Sequence, residues 1–104
     1  MDTTALMERV TLQTLRTRIL INLDREYPAR LDNVSLCALE SDSPGQLVMR
    51  RELHYLAEKG LIAISQTGDG PLHAAITAKG RDLVMGEFEE MGIVSADSYG
   101  YAGI

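Results

Sequence analysis

Residues 56–64 read "LAEKGLIAI". A stretch rich in Leu, Ala, Glu and Lys runs into Gly60, and an apolar, β-branched run begins at once with no loop between. Glycine takes up positive φ at no Cβ penalty, so Gly60 suits the left-handed residue that ends a helix. Lys59, in what would be the last turn, suits the negative end of the helix dipole. The segment must therefore join a helix directly to a strand.

Upstream, Ser43 reads as an N-cap and Pro44 as a first-turn proline, which predicts a helix over residues 45–59. Met49, Leu53, Leu56 and Ala57 fall on one side of it at helical spacing. "ESDSPG" (40–45) reads as a turn, and a short helix precedes it, capped by Asp32 or Asn33. Val34, Leu36, Cys37 and Leu39 are its apolar content. Further back, residues 5–26 form an amphipathic pattern with Leu12, Leu15, Ile19 and Leu23 in one stripe that Tyr27 continues. Tyr27 precedes Pro28, a position pushed out of the α region, so the helix should end there.

Downstream, "LIAISQ" (61–66) and "LHAAIT" (72–77) are two β-like runs. "TGDGP" between them supplies the positive φ angles of a hairpin. Thr77 then caps a fourth helix over residues 78–90, with Leu83, Val84 and Phe88 as buried positions. Gly80 and Gly86 oppose that helix by about 1 kcal/mol each.

The 104 residues suit one domain, assigned to residues 1–90, with 91–104 as a tail of no clear periodicity. The core must be built from Leu, Ile, Val, Met and Ala, because aromatics are only 5% and Trp is absent. Met7, Met49, Met85 and Met91 read as core filler. The single Cys37 allows no intrachain disulfide, and the first residues lack a basic segment followed by an apolar one. No apolar run approaches the ~20 residues of a membrane span. A reduced, cytoplasmic protein without membrane contact is the expectation.

The net charge of −5 is unevenly placed: residues 1–45 carry −2, residues 46–85 carry +1, and residues 86–104 carry −4. The order helix, helix, helix, hairpin, helix gives a mainly α fold with a small β-hairpin: a three-helix core, a wing and a C-terminal helix. This order resembles the winged helix-turn-helix fold. "LAEKGLI" (56–62) resembles the helix–wing junction of the MarR, ArsR and PadR regulator families. "TAKGRDL" (77–83) resembles their return from the wing. The likeness covers roughly residues 10–90. The brevity of the chain and its junction also resemble small proteins of Mu-like phages and prophages. The resemblance implies a transcription regulator whose third helix enters the major groove of double-stranded DNA. With few basic residues on the groove-facing side a monomer should bind weakly. A homodimer is therefore expected through the first and fourth helices, whose spare apolar surface a domain this small can hide only against a partner.

Placing Leu53 at the centre of the buried face turns Leu47, Arg51 and Glu58 outward and puts Arg50 and His54 on one shoulder. The candidate DNA-contacting residues are Ser43, Gln46, Leu47, Arg50, Arg51 and His54. Arginine is the commonest reader of guanine. A plainer reading makes Arg50 and Arg51 a solvated face, with Arg51 near Glu58 and Arg50 near Glu52 or Glu58. The hairpin tip carries Asp69 where regulators of this type usually place Arg or Lys, and no basic residue lies between residues 60 and 78 apart from His73. The second reading is therefore a winged helix for protein–protein contact, of phage or prophage origin, resting on the acidic composition and on Leu47. Cys37, His54 and His73 match no compact zinc spacing, and neither glycine cluster is a phosphate-binding loop. No cofactor, no metal and no catalytic activity is expected.

Overall fold

The structure, a computed structural model, describes the backbone of residues 3–41 and 44–96 and the side chains of residues 11–41 and 44–96. Four helices and a small three-stranded antiparallel sheet follow one another as α1 (Thr3–Glu26), β1 (Leu31–Asp32), α2 (Asn33–Ala38), α3 (Gln46–Glu58), β2 (Ile62–Ser65), β3 (His73–Ile76) and α4 (Ala78–Val84). The sheet order is β1-β3-β2.

The junction at Gly60 is a Schellman motif. Gly60 has φ 77, its N–H donates to the Ala57 carbonyl at 2.9 Å, and the Leu61 N–H donates to the Leu56 carbonyl at 3.1 Å. These two bonds satisfy carbonyls that the end of α3 would leave open, and Leu61 comes to rest in the core with Leu56. Ile62 opens β2 and pairs with Ile76. The hairpin runs in register to Ser65 opposite His73.

The start of α4 completes the junction. Thr77 accepts the Gly80 N–H on its hydroxyl oxygen and donates that hydroxyl to the Gly60 carbonyl at 2.7 Å. The Thr77 N–H reaches the Leu61 carbonyl at 3.1 Å, and Lys79 Nζ reaches the Lys59 carbonyl at 3.1 Å. Three successive carbonyls at the end of α3 are thus taken up by one turn of α4. Gly80 is buried because α4 presses its backbone there against the Leu61 carbonyl, leaving no room for a Cβ.

The core is one cluster of Leu15, Ile19, Leu20 and Leu23 from α1 and Met49, Leu53 and Leu56 from α3, closed by Leu36, Leu61, Ile62, Leu72, Ala74, Ile76 and Val84. Residues 91–96 lie against α1: the buried Thr17 hydroxyl donates to the Val94 carbonyl at 2.5 Å, and Ala96 is buried.

Several expectations need correction. The third helix is capped at Gly45 with no side-chain hydrogen bond there, not at Ser43, which lies outside the described residues. The fourth helix stops at Val84 rather than residue 90, because Met85 is its C-cap and the chain reverses at Gly86 with φ 84. Val34 and Leu39 are exposed, since the six residues of α2 turn only Leu36 and Asn33 fully inward. Met85 and Met91 are exposed as well, and Tyr27 is half-exposed beneath the Arg81 guanidinium, 3.9 Å from its ring centroid. β1 is an addition. It pairs Leu31 with Ala74 and Asp32 with His73, bracing the hairpin on its far side.

Candidate nucleic-acid interface

On α3 the residues divide cleanly by face. Met49, Glu52, Leu53 and Leu56 are buried. Gln46, Leu47, Arg51 and His54 are exposed, with Leu47 at 71%, and Arg50 is half-buried on the shoulder. Positions 47, 50, 51 and 54 follow the i, i+3, i+4, i+7 spacing that aligns side chains along one helical face. The structure thus brings together five of the six candidate residues. The sixth, Ser43, falls outside the described residues.

Two hydrogen-bond relays fix this face to its surroundings. Asn33, buried at the start of α2, donates its side-chain amide to Gln46 Oε1 at 2.6 Å. Its Oδ1 accepts the Leu72 N–H at 2.9 Å, and its own N–H donates to the Leu72 carbonyl at 2.9 Å. One side chain therefore locks α2, α3 and the base of the hairpin together. The second relay runs from α3 to the hairpin tip: Arg50 Nη2 donates to Gln66 Oε1 at 3.3 Å, and Gln66 Nε2 donates to the Gly70 carbonyl at 2.6 Å. Neither Asn33 nor Gln66 was among the sequence candidates. A buried Asn before a helix looks like a cap, and only the pairing of β1 with β3 reveals its second partner.

Four of the basic residues are tied into ion pairs. Arg16 pairs with Glu52 at 2.5 Å and lies 3.8 Å from the Tyr55 ring centroid. Arg18 pairs with Glu40 at 2.6 Å, Lys59 with Glu90 at 2.9 Å, and Arg81 with Asp24 at 2.9 Å. These cations are consumed in holding helices and the C-terminal segment to one another. Arg50 and Arg51 are different, since no carboxylate among the described residues pairs with either. Arg51 is exposed, as a solvated face would have it, but among the described residues neither arginine forms an ion pair with Glu52 or Glu58. Glu52 turns inward to Arg16 and is not available to Arg50 or Arg51.

The hairpin adds little charge to this face. Asp69 is exposed at its tip, and His73 is half-buried at the start of β3 beside Asp32. The Asp32 carboxyl is held below its ordinary range, chiefly by the Ser35 N–H that it caps at 2.7 Å, with His73 adding a smaller favourable field. Cys37 packs against the core, and burial pushes its thiol up. No group of three or more metal-ligating side chains occurs among the described residues, and no described helix is long and apolar enough to cross a membrane.

No family model, no curated protein and no solved structure matches this chain. The reading of the site therefore rests on its geometry.

Proposed function

We propose that this chain is a winged helix-turn-helix protein that binds double-stranded DNA, with α3 in the major groove and the β2–β3 hairpin as its wing. Most of the support comes from one observation. Arg16, Arg18 and Arg81 are each spent on a carboxylate, whereas Arg50, half-buried on the shoulder of α3, and Arg51, exposed on its outer face, have none among the described residues. The helix pair α2–α3 presents that face. The Asn33 relay sets its angle, and Gln66 steadies Arg50. In this role Arg50 or Arg51 reads a guanine, and Gln46, whose carbonyl oxygen is already engaged by Asn33, offers its N–H₂ to a phosphate or a base acceptor.

Electrostatics bounds the affinity. With about three phosphates neutralised per subunit, binding weakens roughly 40-fold between 50 and 200 mM salt. Asp69 at the hairpin tip lowers it further, so a useful regulator of this design binds as a dimer. Titrating short duplexes at the two salt concentrations tests the proposal. The expected result is a salt-sensitive complex that the double variant Arg50→Ala/Arg51→Ala abolishes, each arginine contributing about 1–3 kcal/mol. Absence of any complex at 50 mM salt overturns it.

A second reading, a winged helix that docks on a protein in a phage-derived assembly, is favoured by Leu47 at 71% exposure together with exposed Val34 and Leu39. Under it, Leu47→Ser removes the interaction and the arginine pair is dispensable.

A further inference from the structure

Residues 86–96, Thr17 and Leu20 of α1 and the end of α4 line a groove of about 590 Å³, away from the face of α3 just described. Its apolar walls are Leu20, Leu83, Val84, Phe88, Ile93 and Val94. Apolar side chains around a volume of this size fall within the range of small-molecule sites.

The outer wall is fastened from behind. Lys59 holds Glu90 at 2.9 Å, Arg16 holds the Gly92 carbonyl at 3.1 Å, and Thr17 holds the Val94 carbonyl at 2.5 Å. These anchors hold the segment against α1, and among the described residues the space between them is open. They also use up the polar groups around the groove. Thr17 is spent on Val94, Glu90 is spent on Lys59, and Ser95 has a partner of its own. Glu89 is the exception: it lines the groove, is exposed, and has no ion pair or hydrogen bond among the described residues. An apolar groove with one uncompensated carboxylate at its rim complements an apolar molecule that carries a single positive charge.

We infer that this groove binds a small hydrophobic amine, its hydrocarbon body against Leu20, Phe88 and Ile93 and its ammonium at Glu89. The site is independent of whether α3 binds DNA, and its test needs none.

The experiment titrates the full chain with 4-phenylbutylamine and, in parallel, with its neutral analogue 4-phenylbutanol, following assigned amide resonances by NMR. The expected result is saturable shifts confined to residues 83–96 and the facing turns of α1, with the amine bound more tightly than the alcohol. Glu89→Gln, an exposed substitution that leaves the fold intact, weakens the amine about three- to fivefold, as befits an exposed ion pair, and leaves the alcohol unchanged. Equal binding of amine and alcohol overturns the inference, as does scattered, non-saturating shift. Binding by the amine only after deletion of residues 97–104 also overturns it and makes the chain's own end the occupant. Shifts at these residues that depend on protein concentration and not on the amine assign the groove to a second copy of the chain.

Discussion

Gly80 illustrates how a single residue can be misjudged by its local propensity. Alanine would favour an isolated helix here by about 1 kcal/mol. In the folded chain an added Cβ would collide with the Leu61 carbonyl oxygen and come within 2.7 Å of Ile76 Cγ1. The collision is with backbone, which cannot step aside, so Gly80→Ala is expected to lose about 1–3 kcal/mol net. A urea melt checks this, and a midpoint at or above that of the parent chain contradicts it. The tightness at position 80 is a contact between segments some twenty residues apart, and nothing in "TAKG" alone discloses it. Glu90 carries a second residue-level expectation. Its hydrogen bond with Lys59 holds the carboxyl below the ordinary glutamate range, and the same bond raises the lysine. The carboxylate's contribution is therefore complete above the unfolded glutamate pKa and lost as pH falls through the depressed one. The lysine's contribution is complete below its unfolded pKa and lost as pH rises through the raised one. With the intrinsic pH dependence of exchange divided out, protection of the Ile93 N–H, which donates to the Glu90 carbonyl, should fall at both limits, and Glu90→Gln should erase the acidic limb.

At the scale of elements, the junction between α3 and β2 was legible because its signals are local. A glycine after Lys59, an apolar run at once, and a threonine cap sixteen residues beyond it each act within a few residues. Thr77 does more than cap, since its hydroxyl both accepts from Gly80 and donates to Gly60. Thr77→Ala should cost about 1–2 kcal/mol, at the upper end for a cap, and Thr77→Ser should recover most of it. A thermal melt of the two variants separates lost hydrogen bonds from lost methyl packing. Where the signals are not local, the reading failed. β1 is two residues long, too short for any periodicity, and exists only because β3 offers it an edge. Leu83, Val84 and Phe88 share a helical spacing that predicts a fourth helix to residue 90, but Phe88 packs against the core from the irregular segment beyond Gly86. Of the candidate interface, the helix face was readable from its 3.6-residue period. Glu52 was not: its spacing put it beside Arg50, and only the fold shows that it faces α1 and frees that arginine.

At the scale of the whole molecule, the buried Asn33 side chain ties α2 to α3 and to the hairpin base at once. Asn33→Ala leaves the Leu72 N–H without its acceptor, and an orphaned buried donor costs about 1–3 kcal/mol. The expected outcome is a lower melting temperature together with weakened duplex binding, while Gln46→Ala, which leaves Leu72 satisfied, affects stability far less. Equal stability of the two variants would contradict this role for Asn33. The bracing strand β1 has a mechanical meaning as well. With β3 clamped between two neighbours and Leu72 tethered to Asn33, the hairpin is a cantilever supported at its root, while the span from Gln66 to Pro71 lies outside the strands and is held by the Arg50–Gln66, Gln66–Gly70 and Thr67–Gly70 hydrogen bonds. Such a beam yields least at its root, where the helix beside it keeps a fixed angle of approach, so shape adaptation to any partner falls to the six residues of the tip, which contain two glycines and one aspartate.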